Sequence, residues 1–206
     1  LRGVLQVRVH DRDEPPPGAV DAGRQRHLVA EVPREADGAE ARVRRGEELA
    51  ITRTLARLGI PILRTLSGSA LMEGGSFAWI NERTAVIGCG VRVNREGAEQ
   101  VGEVLKRQGV ELLIIDLFGY DLHIDGSFQM ISKDLAIVDP FGLPYSFLQK
   151  LKELNVQTVE ISPADDRWII NSLAVAPGEL LMPEGASNQT LDALAKHGVS
   201  WTVVPY

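Results

Sequence analysis

The chain has 206 residues, 44% hydrophobic and 24% charged, a balance that supports one folded domain and excludes a disordered protein. Its net charge of −6 lacks the basic surplus of a nucleic-acid-binding protein, and no apolar run reaches the length of a membrane span. A single cysteine excludes an internal disulfide and a thiolate metal cage. These features predict a soluble, cytoplasmic protein that binds neither nucleic acid nor membranes.

The first region with a distinct composition spans residues 11–43. It contains Pro15-Pro16-Pro17-Gly18, is rich in arginine, alanine, glycine and acidic residues, and has few apolar residues. We expect an irregular loop or a polar hairpin excursion rather than a separate domain, because this stretch has little to bury. A helix is predicted to begin at residues 44–48.

From this point the chain repeats one pattern four times. An amphipathic helix ends, a Gly or Asn follows its last turn, and a short apolar strand comes next. Such a residue is expected to adopt a positive φ, because that conformation satisfies the final carbonyls of a helix. The caps, separated by 50, 46 and 43 residues, are Gly59, Gly109, Asn155 and Gly198.

A β-hairpin is predicted before three of these helices, which makes each unit a ββαβ module. The hairpins pair 77–80 with 84–87, 127–131 with 135–138, and 173–175 with 180–182. One module is too small to bury its own apolar face, so the modules are expected to surround a common axis and pool their cores. The alternative is an α+β sandwich with accidental periodicity. Residues 1–206 are expected to form a single domain of about four modules, incomplete at both ends.

The first candidate for chemistry is the segment Met72-Glu73-Gly74-Gly75-Ser76. Adjacent glycines let the backbone approach a ligand closely, and Glu73 lies where a strand is expected to begin. The alternative is a plain Gly-Gly turn with an exposed acid. A phosphate-binding loop is disfavoured, because no Lys-Ser or Lys-Thr pair follows the glycines.

The second candidate is the pair of His123 and Asp125. On an extended backbone, residues two apart project to the same face, so the carboxylate lies beside the imidazole. A histidine near an acid can serve as a general acid or base. The alternative is a loop histidine paired with Asp125 for local order. A metal site is disfavoured, because the other histidines of the chain lack ligand spacing.

Cys89 is the only thiol in the sequence and lies between two glycines at the end of a predicted strand. Arg83, Arg92 and Arg95 are near it in sequence, and cationic surroundings activate a thiol. A lone cysteine after three apolar residues is more typical of a small buried core residue. We therefore do not assign Cys89 as a nucleophile.

Two of these motifs together resemble a known family. The run from Glu73 to Gly88, followed by 92–97, and the later step His123-Ile124-Asp125 are similar to motifs of the guanidino-group-modifying enzymes. This superfamily includes arginine deiminases, dimethylarginine dimethylaminohydrolases, agmatine deiminases and amidinotransferases. Asn171 resembles part of a further family segment. The resemblance covers roughly residues 44–206 and implies a five-bladed α/β propeller (pentein) of ββαβ modules that takes a small-molecule guanidino substrate without a cofactor.

The resemblance also implies roles for individual residues. In these enzymes a cysteine thiolate attacks the guanidinium carbon to give a covalent intermediate. By motif position His123 is the general acid/base and Glu73 a guanidinium-binding carboxylate of the catalytic group. Asp125 would be a second guanidinium ligand and Arg92 would hold a substrate carboxylate. Ser76 stands where the deiminase branch has Asp and the agmatine deiminase branch has Ser, so it bears on substrate binding.

The nucleophile is the main departure from the family pattern. The family cysteine lies in a Gly-rich segment after the last strand, so it is expected beyond Tyr206. An early family Asp has only Arg12-Asp13 as a candidate here. The resemblance implies a hydrolase of arginine or a related guanidino compound; an amidinotransferase and a non-catalytic propeller or pseudoenzyme remain alternatives, and homo-oligomerisation is left open.

Overall fold

A computed structural model of the chain describes residues 4–7, 26–29 and 47–205. The strands in these ranges are β1 Val4–Val7, β2 Arg26–Val29, β3 Ile62–Thr65, β4 Phe77–Asn81, β5 Thr84–Cys89, β6 Glu111–Asp116, β7 Phe128–Ser132, β8 Leu135–Val138, β9 Gln157–Glu160, β10 Leu173–Ala176, β11 Glu179–Pro183 and β12 Ser200–Val204. The α-helices are α1 Glu47–Arg57, α2 Arg95–Arg107, α3 Tyr145–Glu153 and α4 Asn188–Lys196. Three short 3-10 turns precede strands: turn A Gly74–Ser76, turn B Ile124–Gly126 and turn C Arg167–Ile170.

The described strands form four sheets of three strands each, in the orders β1-β2-β3, β4-β5-β6, β7-β8-β9 and β10-β11-β12. In each sheet the first two strands are antiparallel, and the third runs parallel to the second. A parallel neighbour needs a crossover, and in every sheet the described part of that crossover contains an α-helix. The predicted ββαβ repeat is thereby confirmed, and the accidental periodicity of a sandwich is excluded. Closure into five blades stays a prediction.

The residues that end the helices adopt the backbone conformation expected from the sequence. Gly59, Gly109 and Gly198 have φ values of 67°, 76° and 72°, and Asn155 has 58°. After the helix at Asn155, the amide of Val156 returns to the Leu151 carbonyl at 2.8 Å. Each helix therefore ends where the chain must turn to enter the third strand of its module.

The helices α2, α3 and α4 each pack between two sheets. In α3, Phe147 and Leu151 are buried in one cluster with Val138 of their own sheet and Val86 of the preceding one. In the next module, Leu194 of α4 lies between neighbouring sheets in the same way. Burial of one such side chain stabilises the fold by about 1.5–3 kcal/mol. The modules thus share their cores, which fixes each one relative to the next.

This packing brings the starts of successive hairpins together. Turn A contacts turn B, and turn B contacts turn C. Because each turn lies just before the first strand of its hairpin, the residues around the three turns lie at the same edge of three successive modules. The sequence motifs around Glu73 and His123 both belong to this edge.

The prediction for residues 11–43 needs one correction. Strand β2 lies inside that stretch, and it pairs antiparallel with β1 and parallel with β3. Part of the stretch is therefore the central strand of the first module and not an irregular loop. The rest of it, including Arg12-Asp13, lies outside the described residues. Within the described part of the chain, no helix has the length and apolar character of a membrane span.

Candidate active site at the module edge

The centre of the site is a hydrogen bond between Glu73 and His123. Each residue has an extended backbone and directly precedes a 3-10 turn, turn A for Glu73 and turn B for His123. His123 Nε2 lies 2.6 Å from Glu73 Oε2. When Glu73 is ionised its carboxylate only accepts hydrogen bonds, and Nε2 is then the donor. The two side chains are 12% and 17% exposed, so the pair is largely shielded from water yet reachable.

Two further charged side chains flank this pair. Arg92 Nη1 lies 3.5 Å from Glu73 Oε1, and the Arg92 side chain is 15% exposed. On the other side, Asp125 Oδ1 lies 3.9 Å from His123 Nδ1, with the Asp125 side chain 41% exposed. The structure brings Glu73, His123 and Asp125 together, and Arg92 joins them. Their catalytic and binding roles stay predictions.

Gly75 is the reason that turns A and B can approach so closely. A Cβ atom at this position would lie 2.8 Å from Asp125 Oδ2 and 2.9 Å from His123 Cγ. Both distances are shorter than real Cβ contacts, so only glycine fits without displacing the site. The glycine pair was predicted to allow close approach to a ligand; here Gly75 allows close approach to the histidine and aspartate.

Ser76 takes a different position from the other predicted site residues. It is fully buried, and its Oγ donates a hydrogen bond to the Leu122 carbonyl at 3.2 Å. Leu122 directly precedes His123, so this bond ties turn A to the backbone that carries the imidazole. Ser76 positions the site in this structure, and a direct contact between Ser76 and substrate stays a prediction.

A cleft of about 300 Å³ opens beside His123. It lies between turns B and C and is lined by Asp121, Leu122, His123, Asp125, Gly126, Asp166, Arg167, Trp168 and Asn171. Asn171, singled out by the family resemblance, is therefore part of this cleft. Three aspartates face one arginine here, so the lining favours a cationic ligand over an anionic one.

Arg167 is a site residue that the sequence analysis did not find. It donates to both carboxylate oxygens of Asp121, at 2.8 and 3.1 Å, and its Nε lies 2.8 Å from Asp139 Oδ2. Hydrogen bonding to Asp121 raises the pKa of Arg167 against the effect of burial, and the charges of Asp121 and Asp139 add to the rise. One signal was available, since Arg167 is the only arginine after residue 107.

Cys89 does not have the environment of a nucleophile. The residue is 8% exposed and belongs to the core cluster that contains Ile87 and Val101. Burial raises the pKa of its thiol, and although Arg95 opposes this, Asp116 and Glu99 raise it further. A high pKa keeps the thiol protonated and unreactive at neutral pH. The expectation of a small buried core residue is confirmed.

Among the residues that the structure describes, no group of three His, Cys, Asp or Glu side chains is arranged to hold a metal ion.

A comparison of sequences finds a distant relative. No family model matches the chain. An uncharacterized protein from Aeropyrum pernix is 29% identical over 155 residues, which cover 75% of this chain and 54% of that protein. The chain thus spans about half the length of this curated relative.

Comparisons of the structure identify the fold. A dimethylarginine dimethylaminohydrolase variant from Pseudomonas aeruginosa complexed with citrulline superposes with a TM-score of 0.68 at 20% identity, covering 87% of this chain and 64% of that one. The N-terminal domain of a cyanobacterial arginine dihydrolase of the ornithine–ammonia cycle, bound to product, gives 0.71 at 16% identity, covering 87% and 63%. An amidinotransferase of saxitoxin biosynthesis from Microseira wollei gives 0.68 at 15% identity, covering 88% and 61%. The chain has the pentein fold of these guanidino-modifying enzymes. It spans less than two thirds of each.

Proposed function

We propose that this chain carries the guanidinium-binding and acid–base groups of a hydrolase that acts on the guanidino group of arginine or a related compound. The observation that carries the proposal is the 2.6 Å hydrogen bond between His123 and Glu73, with Asp125 and Arg92 beside it. A proton-transfer group and two carboxylates within reach of one small ligand are the parts that guanidino chemistry requires.

Carboxylates at this site suit a planar cation. A guanidinium presents parallel N–H donors that match the two oxygens of a carboxylate, whereas a phosphate would be repelled by Glu73 and Asp125. Glu73 Oε1 already lies 3.5 Å from the guanidinium group of Arg92. Glu73 thus already forms an ion pair with a guanidinium group of the protein itself. Substrate would place its guanidinium between Glu73 and Asp125, beside the imidazole.

His123 is suited to move protons in both halves of the reaction. In the first half, a cysteine thiolate attacks the guanidino carbon and forms a C–S bond. The C–N bond to the leaving amine then breaks as the protonated imidazole gives that amine its proton. In the second half, water attacks the same carbon and gives a proton to His123. The C–S bond breaks and the thiolate is restored, the second proton of the water passes to solvent, and a urea-type product leaves.

The thiolate in this scheme comes from a cysteine other than Cys89. Cys89 is packed in the core, and its pKa is raised by burial. Following the family pattern, we place the nucleophile outside residues 1–206. By its position in the family motif, Arg92 remains our candidate to hold the carboxylate of an arginine-like substrate.

The test is a substrate panel with the full-length chain. Arginine, dimethylarginine, agmatine and guanidinoacetate are each supplied, and citrulline, ornithine, urea and ammonia are measured. Hydrolysis of at least one is expected. Amidino transfer to an added amine without hydrolysis would replace the hydrolase with a transferase, and no conversion of any compound would contradict catalysis and leave a non-catalytic protein.

Matched variants assign the chemistry to the site. We expect His123→Ala to lower kcat at least 100-fold, since general acid–base groups contribute about 10²–10⁴-fold. His197→Ala is the control, because His197 is an exposed residue at the end of α4. Wild-type-like turnover by His123→Ala with an unchanged Tm would remove His123 from the mechanism.

A further inference from the structure

Arg167 contacts residues from three separate places in the sequence near the candidate site. Besides its two hydrogen bonds to Asp121 and its contact with Asp139, Nη2 donates to Ser127 Oγ. Its partners lie 46, 40 and 28 positions away in sequence. The contacts therefore depend on the fold of two modules and not on local chain geometry.

Two of these partners bracket the catalytic segment. Asp121 lies two residues before His123, and Ser127 lies two residues after Asp125. The segment between them contains turn B and no strand, so its backbone has few ladder hydrogen bonds to fix it. One guanidinium group thus holds both ends of the seven-residue stretch that carries His123 and Asp125.

The surroundings of Arg167 are built for a guanidinium group. The Asp139 side chain is only 8% exposed and would be a poorly compensated charge without Arg167. Gly142 leaves room for the contact, because a Cβ there would lie 2.6 Å from Arg167 Nη2. The planar guanidinium group of arginine can bind one carboxylate through two nitrogens and still contact two other oxygens. The ammonium group of lysine has a single nitrogen and cannot hold this arrangement.

We infer that Arg167 is a positioning residue for the reaction, and that it holds His123 and Asp125 at the distance from Glu73 that proton transfer and guanidinium binding require. This inference rests on the proposed function of the site. Arg167 acts through Asp121 and Ser127 and is not itself expected to touch the reacting atoms. Small displacements of a catalytic group are costly, since a shift of about 1 Å can lower the rate about 100-fold.

The first test is Arg167→Lys in the full-length chain. Lysine keeps the positive charge beside Asp121 and Asp139, so the fold is expected to survive. A single ammonium group cannot hold Asp121 and Ser127 together in the same geometry, so the two ends of the segment are no longer joined. We expect kcat to fall 10- to 100-fold and KM to rise by a smaller factor, since Asp125 is displaced together with His123. Arg64→Lys is the matched control, because Arg64 pairs with Glu103 at 2.6 Å in another part of the molecule. It should retain wild-type kcat.

A second readout is independent of turnover. Ring ¹H–¹⁵N spectra, assigned with His123→Ala, report the Nε2 proton that His123 donates to Glu73. This signal should be protected from exchange in the wild type, weakened in Ser127→Ala and lost in Arg167→Lys. A purely structural role would lower Tm and leave the kcat of the folded protein and the ring signal unchanged, and that result would overturn the inference. A wild type without turnover would count against the proposed function. The ring signal would still test whether Arg167 positions His123.

Discussion

Replacement of Gly75 by alanine adds one methyl group at the point where turns A and B touch. The new Cβ would lie 2.8 Å from Asp125 Oδ2 and 2.9 Å from His123 Cγ, whereas ordinary contact begins at 3.4 Å. The histidine and aspartate must therefore move by about 0.5 Å or more. Since a displacement of about 1 Å can cost about 100-fold in rate, we expect kcat to fall about 10-fold, equivalent to about 1.4 kcal/mol.

The assay compares kcat and Tm of Gly75→Ala with those of Gly102→Ala in the full-length chain. Gly102 lies in α2, where a Cβ would be 3.5 Å from Leu112 Cδ2, an ordinary contact. That control should keep wild-type kcat and gain about 0.5–1 kcal/mol of stability from the better helix former. If Gly75→Ala instead turns over within twofold of wild type, the close approach of the two turns does not set the geometry of the site.

Three further substitutions test the fold and the assignment of residues. Cys89→Ala should leave kcat unchanged, and iodoacetamide should label Cys89 only after unfolding; an inactive but folded variant would make Cys89 the nucleophile. Asn94→Ala should lose about 1 kcal/mol of unfolding free energy by denaturant titration, because the Asn94 side chain caps α2 through the Gly97 amide at 2.8 Å; unchanged stability would contradict this. Burial would raise the pKa of Asp165, but hydrogen bonds from Thr190 and Ser187 lower it. The ionised Asp165 therefore stabilises the fold above the unfolded pKa near 4, and this stabilisation is lost as pH falls through the lower folded pKa. The Tm of Asp165→Asn should lie below that of the wild type at neutral pH, and the difference should shrink below about pH 4. A difference that grows below about pH 4 would contradict the lowered pKa.

Features encoded within one module were predictable from sequence. The positive φ at Gly59, Gly109, Asn155 and Gly198 follows from local helix-ending chemistry, and the structure shows all four. The hairpins recur with the same register, since Asn81 faces Thr84 and Ser132 faces Leu135. Once two equivalent turns are placed on neighbouring modules, the meeting of Glu73 and His123 follows from the repeat.

Contacts between modules were not predictable in the same way. Arg167 reaches Asp121 across 46 positions, and no spacing rule connects a residue of turn C with the loop before turn B. The hydrogen bond from the Ser76 hydroxyl to the Leu122 carbonyl joins residues 46 positions apart, and no local pattern indicates it. Strand β2 was missed because polar and proline-rich flanks concealed a four-residue strand that its two neighbours stabilise.

The central claim is that a guanidino compound binds between Glu73 and Asp125 against the ring of His123. The direct measurement is a titration of the protein with arginine and with methylguanidine, followed through the ring signals of His123 and His197. The account predicts a saturable shift at His123, no shift at His197, and loss of the His123 response in Glu73→Gln. An unmoved His123 signal, or an equal response in Glu73→Gln, would contradict it.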